Sequence, residues 1–127
     1  MHPLLAMIHH AGSPRYVSEP QPRLGSTIQL RLRVPVAAPV SAIVVRSTPD
    51  GEEAFAPLVP GATVGGAQWW TVALTLTMPV VGYRFLIIAD EQPYWYSAAG
   101  LTSHLPTDYH DFRLLAGYHA PGWVTAR

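Results

Sequence analysis

Hydrophobic and polar residues alternate along much of this chain with a period of two. From Ser26 to Val34 the alternation is strict, with Ile28, Leu30, Leu32 and Val34 on one face and Gln29, Arg31 and Arg33 on the other. That pattern predicts a half-buried strand with one wet side. Val40 to Ser47 predicts a second strand. Its apolar positions, Val40 and then Ile43 and Val45, slip by one residue, which predicts a bulge near Ser41-Ala42. Thr48-Pro49-Asp50-Gly51 then reads as a turn, because Pro fixes φ and Gly accepts φ > 0. Ala54 to Val59 reads as a short strand ended by Pro60-Gly61, and Gly65-Gly66 as a loop. Trp69 to Thr77 alternates again, with Trp70, Val72, Leu74 and Leu76 inward. Tyr83 to Ala89 is a further strand, Asp90-Glu91-Gln92-Pro93 turns the chain into Tyr94-Trp95-Tyr96, and Asp108 to Leu115 is the last strand. Thirteen Pro and ten Gly are spread between these runs and leave no room for long helices. Roughly six to eight short strands with no helical period between them predict an all-β antiparallel sandwich.

Composition narrows the class. A chain of 127 residues, 49% apolar and 13% charged, is one domain and too apolar to be disordered. No apolar run is long enough to span a bilayer, and the start Met1-His2-Pro3-Leu4-Leu5 lacks the basic region and cleavage site of a signal peptide. A cytoplasmic domain is expected. Eight basic residues, all Arg, balance eight acids, and no basic tract could follow a phosphate backbone. Nucleic acid and membrane are therefore not expected partners. The absence of Cys removes disulfides, iron–sulfur clusters and zinc ribbons.

Candidate chemistry is sparse. The acids are Glu19, Asp50, Glu52, Glu53, Asp90, Glu91, Asp108 and Asp111. Most fall in turns and read as solvated, so no pair is positioned across a glycosidic bond. The histidines, including the adjacent His9-His10 and His110 on the last strand, do not form a known metal-ligand spacing and read as ordinary polar side chains. No serine has a nucleophile context and no glycine-rich phosphate loop exists. Neither a catalytic residue, a metal nor a cofactor is expected.

The aromatics carry more. Trp69-Trp70, Tyr83, Tyr94-Trp95-Tyr96 and Tyr109 concentrate in the second half. Exposed Trp and Tyr suit the flat C–H faces of sugars. Alternation turns Trp70 inward and Trp69 outward, and puts Tyr94 and Tyr96 on one face with Trp95 on the other. Trp69, Tyr94 and Tyr96 are the candidate carbohydrate platforms. Tyr83 to Ala89 shows a second feature: opposite its core face, Leu86 and Ile88 follow Arg84 where polar residues belong. Leu86 and Ile88 are candidate interface residues, unless a segment such as Met1 to Tyr16 covers them.

The run Val81-Gly82-Tyr83-Arg84-Phe85-Leu86, then Tyr94-Trp95-Tyr96-Ser97-Ala98-Ala99-Gly100, then Asp111-Phe112, resembles the N-terminal module of cyclomaltodextrinases, neopullulanases and maltogenic amylases. Ile8-His9-His10, Tyr16 and Leu30-Arg31-Leu32-Arg33 extend the resemblance to the front. It implies an immunoglobulin-like sandwich, classed as a carbohydrate-binding module of family 34, that precedes an α-amylase-type barrel. Residues 1–115 would form the module, with 1–25 a leading segment and 26–115 the main sandwich. Residues 116–127, with Pro121-Gly122-Trp123-Val124, would lead toward the barrel, whose catalytic acids would lie beyond Arg127. The expected function is a non-catalytic accessory module of an α-glucan-acting glycosidase, serving substrate access, domain docking or dimerisation. Its expected partners are α-glucan or maltodextrin, the barrel of the same chain and a second copy. An autonomous starch-binding module and a purely structural interaction domain remain open.

Overall fold

The computed structural model describes residues 3–11, 13–19, 22–48 and 52–116. Among the described residues, nine strands form two antiparallel sheets. Strands β1 (Thr27–Pro35), β5 (Ala67–Thr75) and β4 (Val59–Val64) make a three-stranded sheet in the order β1-β5-β4. The second, six-stranded sheet runs β3 (Ala54–Pro57), β2 (Val40–Ser47), β6 (Val80–Ala89), β7 (Gln92–Ser97) and β8 (Gly100–Thr102). Strand β9 (Phe112–Leu115) also pairs with β6, beyond the end of β7. The expected β-sandwich is what forms.

The alternation does its work directly. Ile28, Leu30, Leu32 and Val34 of β1 are buried against Ile43 and Val45 of β2 and Val81, Tyr83, Phe85 and Ile87 of β6, all within one core cluster. The expected bulge lies between Val40 and Ala42, where the β2–β6 register shifts. Three hairpins close on two-residue turns, and two of them, Gly65-Gly66 and Asp90-Glu91, hold both turn residues at positive φ. Gly65 and Gly66 have φ of 58° and 80°, and Asp90 and Glu91 have φ of 50° and 61°. Both turns bend in the left-handed sense that matches strand twist.

Three strand expectations are corrected. The run from Ala54 does not end at Pro60-Gly61. The chain changes sheets at the buried Leu58, whose N–H donates to the Ile43 carbonyl at 2.8 Å, and continues as β4 through an irregular register between Pro60 and Thr63. Pro60 can sit there because β4 is an edge strand. The last strand is shorter than Asp108 to Leu115: Asp108–His110 is a 3₁₀ turn, and pairing starts at Phe112. Short β8 brings the described strands to nine, above the expected range.

The leading segment is part of the core. After a 3₁₀ turn at Pro3–Met7, His9 bridges to Arg33 and Val17 to Leu30 along the outer edge of β1. Leu5, Ile8 and Val17 are fully buried in the core cluster. The segment is a strap that closes one side of the sandwich. Its described residues lie along β1 and in the core, not on the outer face that carries Leu86 and Ile88, the role considered for it from sequence.

Candidate functional site

Alternation and register together fix what lies on the outside of the six-stranded sheet. Because Tyr83, Phe85 and Ile87 face the core, Arg84, Leu86 and Ile88 face outward. Register then places Pro57, Val44, Leu86, Trp95 and Thr102 side by side across five strands. At about 4.8 Å per strand this row is about 19 Å wide. A second row carries Ala42, Ile88 and Pro93. Phe55, 55% exposed, stands beside Arg46 at the other side. Leu86, Ile88 and Trp95 are half-buried by their neighbours in the sheet. This outer face is apolar where a solvated sandwich face is polar.

A buried ionic cluster borders it. Arg46 and Arg84 sit directly opposite each other on β2 and β6, a like-charge pairing that is unfavourable by itself. Asp111, just before β9, resolves it. Its Oδ1 accepts from Arg84 Nη1 at 3.0 Å and its Oδ2 from Arg46 Nη1 at 3.3 Å. Arg46 Nε also donates to Glu53 Oε2 at 2.8 Å. All three partners of the central bridge are buried, Asp111 at 4% exposure. Gly82 makes room for it, since a Cβ there would stand 3.2 Å from Asp111 Oδ2. The Arg84 guanidinium lies over the Trp95 ring, 5.2 Å from its centroid. Asp111 is therefore not a solvated turn acid, as sequence suggested; it is a counter-ion held between two arginines. Glu53 and Asp111 both bind Arg46, an arrangement that stabilises charge and leaves neither placed as an acid–base partner of the other.

His10 is the second correction among polar residues. It is buried between the sheets and contacts Tyr16, Tyr83, Phe85 and Phe112 edge-on. Its Nδ1–H donates to the Arg31 carbonyl at 2.7 Å. Nε2 is then the acceptor of the neutral ring and receives the Tyr83 hydroxyl proton at 2.7 Å. The His10 backbone N–H donates to the Tyr96 hydroxyl at 3.2 Å. Desolvation holds the His10 pKa down at about 4, and burial pushes the Tyr83 and Tyr96 hydroxyls up. His110, expected on a strand, lies exposed in the 3₁₀ turn instead.

The carbohydrate candidates are not brought together. Tyr96 is buried, its ring stacked on Phe112 at 5.7 Å, so it has no face to offer a sugar. It shares the inward side of β7 with Tyr94, which is half-buried against the core cluster. Trp69 lies on the outer face of the other sheet, as alternation requires, with Tyr16 at 5.4 Å and the Arg15 guanidinium at 5.6 Å from its ring. The sequence reading missed Phe55, Trp95 and the Arg46–Asp111–Arg84 bridge. Alternation within Ala54 to Val59 and Tyr94 to Tyr96 carried the signal for the first two. The bridge had no local signal, since its residues are far apart in sequence.

No family model and no curated protein matches the chain. Solved structures share its antiparallel β-sandwich fold over most of the chain. A cyclomaltodextrinase matches over 92% of this chain and 21% of its own, with a TM-score of 0.72 at 18% identity. The maltogenic amylase from S. marinus matches over 91% and 15%, with a TM-score of 0.67 at 13% identity. The carbohydrate binding module of the muscle glycogen-targeting subunit of protein phosphatase-1 matches over 72% and 66%, with a TM-score of 0.50 at 13% identity. These likenesses establish the fold, and the chain spans about a fifth of the length of the cyclomaltodextrinase. Among the described residues, no helix is long and apolar enough to cross a membrane.

Proposed function

We propose that this chain is the non-catalytic accessory module of an α-glucan-acting glycoside hydrolase, working in the cytoplasm and docking through the outer face of its six-stranded sheet. Residues 1–115 are the module, and the stretch from 116 leads toward a catalytic barrel; residues 117–127 lie outside the described residues. The observation that carries the reading is the apolar row from Pro57 to Thr102, with Leu86 at its centre, on a fold that makes up a fifth of a cyclomaltodextrinase. Flat apolar faces of this width are interaction surfaces. Arg84 and Arg46 add no charge to it, because Asp111 and Glu53 balance them. The partner face is expected to be apolar too, either the barrel or a second subunit.

The isolated chain should self-associate in analytical ultracentrifugation. Replacing Leu86→Ser and Ile88→Thr together should make it monomeric with little change in its urea midpoint. A double variant that unfolds would make both side chains core and defeat the docking reading. The purified chain should also leave maltotriose, cyclodextrin and pullulan unhydrolysed.

A direct glucan-binding role is the second reading, favoured by the likeness to a carbohydrate binding module and by the outward Trp69. Retardation in a native gel containing glycogen, lost in Trp69→Ala, would support it. Unchanged mobility would leave docking as the working role.

A further inference from the structure

The outer face of the three-stranded sheet differs in character from the face just described. Arg33 lies directly opposite Trp69 across β1 and β5, and Arg31 opposite Thr71, all on the side away from the core. Opposed side chains on a sheet start about 5 Å apart and diagonal ones about 7 Å. The strap adds Arg15, whose guanidinium packs over the Trp69 ring, and Tyr16 beside it. Three arginines thus belong to one patch, with the Arg15 guanidinium over the indole.

Among the described residues, Arg15, Arg31 and Arg33 have no ion pair, whereas Arg46 and Arg84 on the other sheet are bridged by acids. A formally neutral chain is therefore positive at this place. The cluster is also held in position. Arg31 Nη1 donates to the Pro14 and Arg15 carbonyls at 3.2 and 3.4 Å, which leaves its other N–H groups for a ligand. The indole holds the Arg15 guanidinium by cation–π attraction.

We propose that this cluster is a binding site for a phosphate monoester carried on a glucan. Arginine forks match phosphate geometry, and the charge-assisted bonds they form are the strong ones. The three cations share one small patch: Arg31 and Arg33 stand two residues apart on the outer face of β1, and Arg15 lies over Trp69, opposite Arg33. That suits one multiply charged group with three acceptor oxygens better than an extended acidic peptide. The half-buried Trp69 ring supplies apolar contact for the attached sugar ring, while Tyr16 is buried beneath it. The sugar rests on the glycosidase reading above; the anion chemistry does not.

The test is a titration of the isotope-labelled chain, following the Trp69 indole and the arginine side-chain signals by NMR. Its four probes are glucose 6-phosphate, maltoheptaose, inorganic phosphate and a short polyglutamate peptide. Glucose 6-phosphate should bind about ten-fold more tightly than inorganic phosphate and more tightly than maltoheptaose, and should weaken as salt is added. Arg15→Gln with Arg33→Gln should abolish that preference and leave the thermal midpoint unchanged. Equal binding of maltoheptaose and glucose 6-phosphate overturns the proposal while the glucan reading survives. Inorganic phosphate binding as tightly as the sugar phosphate overturns the glucan ligand. Tightest binding by polyglutamate overturns it in favour of an acidic protein, and silence from all four probes overturns it outright.

Discussion

At the scale of single residues, His10 and Asp111 are buried by opposite means. His10 is kept neutral by its surroundings: tyrosine hydroxyls, a carbonyl and aromatic edges, with no described carboxylate in contact. Its folded pKa of about 4 lies below the ordinary 6.5, so between those values the unfolded chain binds a proton that the folded chain refuses. Stability is full above pH 6.5, falls by about 1.4 kcal/mol per pH unit as pH drops toward 4, and stops falling from this source below that. Urea midpoints between pH 7 and 4 should show this slope, and His10→Gln should remove one proton's worth of it. Asp111 is instead kept charged between two guanidiniums. Asp111→Asn leaves them facing each other and should cost about 3–5 kcal/mol in chemical denaturation. Glu53→Gln, at a half-exposed partner, should cost under about 1 kcal/mol. Neither role was legible beforehand. His10 sits in an irregular segment with no period to assign its face, and Asp111 takes its meaning from Arg46 and Arg84.

At the scale of elements, period-two patterning located the strands well and their ends poorly. β1 and β2 fall within a residue of the alternating runs, because one buried face fixes their register. The run from Ala54 misled because Leu58 is buried between two strands that belong to different sheets, and alternation says nothing about which neighbour a strand takes. The apolar outer face was legible through Leu86 and Ile88, since they break the alternation of β6; the platform of Trp69, Tyr94 and Tyr96 was not, since it required faces that the register separates. The two tight turns make a matched experiment. Asp90 and Glu91 hold φ values that suit Asn-Gly, so Asp90→Asn with Glu91→Gly should stabilise the chain by about 1 kcal/mol. Gly65→Ala, at φ of 58°, should destabilise it by a similar amount. Thermal midpoints should move in opposite directions for the two variants.

At the scale of the molecule, the two outer faces differ in character: one is apolar with its arginines bridged by acids, the other carries Arg31 and Arg33 beside an indole covered by Arg15. Both depend on the strap, which supplies Arg15 to one and whose Leu5, Ile8, His10 and Val17 complete the core beneath the other. Removing residues 1–18 should therefore give an aggregated chain in size-exclusion chromatography, not a smaller folded domain. The strap also sets a clock. Its His10 ring rests 4.9 Å from Phe112 and its backbone N–H waits for the Tyr96 hydroxyl, so a segment made earlier is completed by one made about a hundred residues later. At synthesis rates of about 5–20 residues per second, the strap spends roughly five to twenty seconds without Phe112. Its buried side chains stay wet through that interval, and a nascent chain stalled before β9 should remain open to proteases at the strap until Phe112 is released.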